Sequence, residues 1–332
     1  MSIESEAAEL PRFIEKLMSR QKEGDCPGLD TGFKRLNQVT HGLSQGIYVI
    51  GGMPGCGKTT LTWQIAFQVA QNNKEALVLF FSLDQGVEDL RIRLLSRLSG
   101  IQSESFYNGQ LHKDGQASET LKLAEEEHRV VTERLCLLGP EFDLHRGNLR
   151  DENGAHGYDG ELLYDLPDGT HGTPSLPAWL YQEIERVKNQ MGTKDTLVVV
   201  DYVQKLYPLR KYGSEYERIN IAMDELGKLS ERIRGPVMVV SEINRESYRN
   251  PRVDAFKNSG RIEYAADVAC VLKRNGVNDE PREMELEVLK NRMGDTAIIE
   301  FDFYPKVAMF KEVDVRYPGG GRRGREALSE VR

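Results

Sequence analysis

Residues 51–60 read GGMPGCGKTT, and within them Gly52, Gly57, Lys58 and Thr59 satisfy the spacing G-x-x-x-x-G-K-[ST]. That spacing constrains the fold because it functions only where a strand turns into a helix. The glycines let the backbone wrap an anion, and backbone amides and the positive end of the helix then face it. Both flanks fit: GIYVIGG (46–52) is an apolar, β-branched run, and residues 58–72 carry helical periodicity. Pro54, Gly55, Cys56 and Thr60 complete the loop. Lys58 is spaced to reach the β and γ phosphates of a nucleoside triphosphate and Thr59 to ligate Mg²⁺, so ATP and Mg²⁺ are the expected ligands.

The same alternation continues downstream. ALVLFFS (76–82), LCLLG (135–139), TLVVVD (196–201) and VMVVS (237–241) read as strands, and 86–99, 178–191 and 215–234 read as helices. Apolar runs separated by amphipathic helices predict a mainly parallel sheet covered on both faces. Residues 266–312 hold closely spaced strand-like runs without helices between them, which predicts antiparallel strands added at the C-terminal edge. Three boundaries follow. Residues 1–27 hold a helix, with Leu10, Phe13, Ile14 and Leu17 as a narrow apolar stripe that would pack on its own domain or dock on a neighbouring subunit, ended by the GDCPG hinge. Residues 28–312 are one ATPase domain with an insertion at 140–177, and 313–332 are a flexible basic tail.

Composition excludes several classes. In 332 residues no apolar window approaches the length of a membrane span, and MSIESEAAEL lacks the features of a leader, so no membrane association and a cytoplasmic location are expected. The four cysteines form no C-x-x-C pair, which argues against disulfides or a cysteine-built zinc site. His145, His156 and His171 fall in the insertion without the spacing of a metal site. A net charge of −8 disfavours indiscriminate polyanion binding but leaves room for a local basic channel.

Two carboxylates join the phosphate loop. Asp201 ends TLVVVD, where a carboxylate leaving a buried strand holds Mg²⁺. Asp84, in FFSLDQ, also ends a strand, on the edge where ligands of open α/β sheets collect. It is the candidate for polarising an attacking water; its bland alternative is an N-cap for the next helix. Together these define an α/β, RecA-like P-loop NTPase.

In order along the chain, GLDTGFKRLNQVTHGL, the phosphate loop, FFSLDQGVEDLRIRLLSRLSGI, GQL (109–111), VVVDYVQKL, VVSEINR, NSGRIEYAADVACVL and LKNRMG resemble the ATPase domain of DnaB-type replicative helicases over nearly all of residues 28–312. The resemblance implies an ATP-dependent motor on single-stranded DNA, acting as a homo-oligomeric ring, usually a hexamer, with replication or mobile-element proteins as further partners. It implies that Lys290 and Arg292 serve the neighbouring subunit's γ-phosphate, and their i, i+2 spacing on a strand points both the same way. It also implies that Lys257, Asn258 and Gly260 hold DNA phosphates, against a solvated loop as the bland reading.

The family's collar domain is absent from this sequence, and the helix at 5–21 matches the family's linker helix. Asp84 stands where the family has a glutamate, and Glu242 where it has a glutamine near the γ-phosphate. Glu242 is therefore a second candidate base, with Arg245 as a partner that would offset its charge. Slow hydrolysis shared by both carboxylates is expected. An ATP-gated assembly or signalling module without unwinding activity remains the alternative.

Overall fold

A computed structural model describes residues 27–109, 115–139, 176–206, 212–244 and 260–318, with positions 11, 14, 15, 164, 165, 171, 172 and 256. Its elements, in chain order, are α1 (Lys34–Thr40), β1 (Gly46–Gly52), α2 (Lys58–Asn72), β2 (Ala76–Ser82), α3 (Val87–Ser99), α4 (Ser103–Tyr107), α5 (Gly115–Thr132) and β3 (Leu135–Leu138). Then come β4 (Tyr164–Asp165), β5 (His171–Gly172), α6 (Leu176–Met191), β6 (Asp195–Asp201), α7 (Glu215–Ile233), β7 (Pro236–Glu242) and α8 (Gly260–Ala265). The chain closes with β8 (Val268–Arg274), β9 (Arg282–Asn291), β10 (Ala297–Tyr304) and β11 (Met309–Arg316).

Nine strands form one sheet in the order β11-β10-β9-β8-β1-β7-β6-β2-β3. The six from β3 to β8 are mutually parallel, whereas β9, β10 and β11 pair antiparallel. The period-2 alternation of each strand feeds two separate cores. Tyr48, Ile50, Val78, Phe80, Leu197 and Val199 pack on the face covered by α2. Ile47, Val49, Leu77, Leu79, Val198 and Val200 pack on the face covered by α7. Strands buried on both sides have no polar face, and they appear in the sequence as unbroken apolar runs.

Two expectations need adjusting. The first strand of the C-terminal group, β8, is parallel to β1 and is reached through the short crossover helix α8; only the last three are antiparallel. The domain also extends past residue 312, because β11 runs to Arg316. Arg316 is held there by Glu285 of β9 and by Glu300 of β10. Of the N-terminal stripe, Ile14 is described and exposed, and Leu10, Phe13 and Leu17 lie outside the described residues. Most of the insertion also lies outside them.

Candidate active site

The C-terminal ends of β1, β2, β6 and β7 converge on one cavity of about 490 Å³, walled on its other side by residues from α3, α4, β9, β10 and the turn after β10. The phosphate loop forms its floor. Gly55 and Gly57 adopt φ of 74° and 97°, the left-handed region that a side chain resists. At Gly57 a Cβ would also come within 3.1 Å of the Phe310 ring, so the loop lies directly on the stacked Phe303–Phe310 pair. Gly57 is the N-cap of α2 and no side chain caps that helix, so its positive end is directed at the cavity. Lys58 Nζ donates to the carbonyls of Gly52 and Met53, each at 2.9 Å. Pro54, Thr59 and Thr60 also line the cavity. Cys56 is packed against Gly52, and burial raises its thiol pKa against the pull of Lys58.

Asp201 is paired in register with Ser82, beside the loop, and is 4% exposed. Burial pushes its carboxyl up to about 6, opposed by a hydrogen bond from the Thr59 hydroxyl and by the fields of Lys58 and Arg93. Its Oδ2 is buried with no hydrogen-bond partner. A desolvated carboxylate with one unsatisfied oxygen, touching the loop hydroxyl, is the donor set expected of a Mg²⁺ site. Thr59 and Asp201 therefore fit the metal.

Asp84 and Glu242 both line the cavity. Helix α3 starts at Val87 with Gly86 as its N-cap and no side-chain cap, so Asp84 does not serve as the cap. Its Oδ1 lies 3.5 Å from Lys205 Nζ, and its charge adds to the raised Asp201 pKa. Glu242 pairs in register with Gly52, which sets it between the phosphate-loop strand and Asp201's strand, on the same side of the loop as Asp84. Its backbone N–H donates to Gln204 Oε1 at 3.4 Å.

Sequence reasoning missed several cavity residues. Arg93 of α3 lines it, with NH1 3.4 Å from the Thr60 hydroxyl. Arg282, at the start of β9, lines the outer wall, and its Nε is buried without a partner. Tyr107 stands on that side too, donating to Asp89 at 2.9 Å. A basic residue recurring beside apolar ones in FFSLDQGVEDLRIRLLSRLSGI was the available signal for Arg93, but Arg91 and Arg97 share it.

Lys290 and Arg292 do not line this cavity. They stand at the far end of β9, beside the N-terminal end of β8, where Lys290 pairs with Ala269. Both donate to the Tyr264 carbonyl, at 3.3 and 3.2 Å, and Arg292 also bonds Asp267 at 2.8 Å. The DNA-contact candidates Lys257 and Asn258 lie outside the described residues, as does Arg245; Gly260 is the first residue of α8. Phe256, just before them, is buried and bridges to Ile243. A Cβ on Gly51 would be 2.6 Å from the Phe256 ring, so Phe256 abuts the phosphate-loop strand.

This fold and cavity define a RecA-like P-loop ATPase domain. The model of the DnaB-like helicase C terminal domain matches residues 28–136 and 171–312, and the chain belongs to that family. Replicative DNA helicase DnaB of Leifsonia xyli subsp. xyli is 25% identical over 306 residues, covering 89% of this chain and 58% of its own length. The chain spans about three-fifths of the curated relatives it matches. Among solved structures, an isolated ATPase domain aligns with a TM-score of 0.75 at 18% identity, over 94% of this chain and 100% of its own. A DnaB-like replicative helicase whose interactions with primase are described aligns at 0.70 and 18% identity, over 93% and 67%.

Proposed function

We propose that the chain is an ATP-hydrolysing motor of a DNA helicase, acting on single-stranded DNA as a ring of identical subunits. The observation that carries this reading is the convergence of the phosphate loop, Asp201 with its partnerless oxygen, Asp84 and Glu242 in one cavity that Lys290 and Arg292 do not enter. Residues Gly52 to Thr60 bind the phosphates, and Thr59 and Asp201 hold Mg²⁺. Bound there, the ion would neutralise charge on the phosphate oxygens. Lys58 and Arg93 supply positive charge from within the chain. Asp84 orients and polarises the attacking water, and Glu242 contributes from β7, the strand next to the phosphate loop. Lys290 and Arg292 complete the neighbouring subunit's site, and Lys257, Asn258 and Gly260 track the DNA backbone. A primase is one class of further partner, by likeness to the related helicase.

The test is the steady-state ATPase rate with and without a single-stranded oligonucleotide, alongside the assembly state with a non-hydrolysable ATP analogue. Stimulation by DNA and a ring are expected. A rate unchanged by DNA, with Lys257→Ala equal to wild type, refutes the motor and favours an ATP-gated assembly module.

A further inference from the structure

The turn leaving β6 follows Asp201 and touches the Asp84 side chain and the end of the strand that carries Glu242. After Asp201 the backbone makes a single 3-10 turn, Val203–Lys205, closed by N–H bonds from Lys205 to Tyr202 O and from Leu206 to Val203 O, each 3.0 Å. Gln204 then joins the turn to β7: its Oε1 accepts from Glu242 N, and its Nε2 donates to Ser241 Oγ at 2.9 Å. Lys205 joins it to the end of β2 through the 3.5 Å contact with Asp84. The turn is clamped from behind by buried Arg218 of α7, which donates to the carbonyls of Gln204 and Leu206 at 2.9 and 2.8 Å. Asp84 lines the cavity and Lys205 does not, so the ammonium grips the carboxylate from outside the space that phosphates would fill.

We propose that Lys205 is a positioning residue for hydrolysis, holding the Asp84 carboxylate toward the phosphate cavity from a turn whose backbone is fixed by Arg218. The two side chains are 44% and 47% exposed, so the pair contributes little to stability. Its consequence is orientation. An aspartate has only χ1 and χ2 with which to aim its oxygens, and displacement of a reacting group by about 1 Å costs up to about a hundredfold in rate. A cation on a clamped turn restricts that motion. The inference rests on the ATPase reading with Asp84 acting on the water.

The experiment compares Lys205→Met and Lys205→Arg in the full chain, each with and without Asp84→Ala, by ATPase kinetics and by nucleotide affinity measured separately. We expect Lys205→Met to lower kcat by roughly threefold to tenfold, with KM and affinity unchanged within about twofold. Lys205→Arg recovers most of the loss, and Lys205→Met adds nothing in the Asp84→Ala background. Wild-type kcat in Lys205→Met, or an equal loss in the Asp84→Ala background, overturns the proposal. Full activity in Asp84→Ala removes the base and its positioning residue together while leaving the ATPase intact. A wild-type chain without ATPase activity sinks the functional reading and the inference with it.

Discussion

Asp201 is held in the fold at an energetic cost, and Asp201→Asn should expose it. Burial raises its carboxyl from 3.8 to about 6, despite help from Thr59, Lys58 and Arg93. A raised folded pKa means that the folded state binds the proton more tightly than the unfolded chain does. Stability is therefore greatest below the unfolded pKa, falls as pH rises through the window from about 4 to 6, and levels off above it. With a rise of that size, the ionised carboxylate costs on the order of 3 kcal/mol at pH 8 and roughly half of that at pH 5. Asparagine has the shape of the protonated acid and does not ionise. In the absence of Mg²⁺ and nucleotide, Asp201→Asn should raise the melting temperature by several degrees at pH 8, by less at pH 5, and abolish Mg²⁺-dependent ATPase activity. Adding Mg²⁺ and an ATP analogue should stabilise wild type more than the variant. Thermal melts across pH 5–8 on both proteins check this. A variant less stable than wild type at pH 8, or an advantage independent of pH, would refute the account of Asp201 as a desolvated ligand with one unsatisfied oxygen.

Two further outcomes follow from named contacts. Arg93→Ala should lower kcat about tenfold or more and move the acid limb of the kcat/KM profile to higher pH, because the Arg93 field helps keep Asp201 ionised; an unmoved limb would remove Arg93 from the electrostatics of the metal site. Gly51→Ala would bring a Cβ to 2.6 Å from the Phe256 ring and 2.8 Å from Ile243, costing about 1–3 kcal/mol of stability by overpacking. Denaturant titration should show part of that cost recovered in Gly51→Ala with Phe256→Leu, and strict additivity would mean that the residues do not share that space.

The parallel strands were legible because burial on both faces forces long apolar runs, and no competing pattern in the chain resembles them. The direction of β8 was not, since it depends on α8, a crossover helix of only six residues. Helix α5 escaped for a related reason. Leu123 and Val130 point outward at 59% and 67% exposure, so its apolar stripe is broken. The phosphate loop is contiguous and could be read directly, and Asp201 followed from its strand. Arg93 could not be singled out from Arg91 and Arg97 on the same helix. Arg91 is exposed, Arg93 lines the cavity, and Arg97 lies 4.7 Å over the Phe67 ring, a threefold division made by tertiary packing alone. Lys205 was hidden in the same way, inside VVVDYVQKL, because its partner lies more than a hundred residues earlier in the chain.

The C-terminal strands connect the chain's own cavity to the residues proposed above to serve a neighbouring subunit. Strand β9 begins at Arg282, in the wall of the chain's own cavity, and ends at Lys290 and Arg292 beside the N-terminal end of β8. Ten residues of extended chain span about 34 Å. That rod is stiffened by charges along its length. Lys273 bonds Glu285 and Glu287, and Arg316 ties Glu285 to Glu300, cross-linking four adjacent strands where Glu285 is 5% exposed. A partly buried network of this kind is costly to break one member at a time, which favours motion of the strand as a unit.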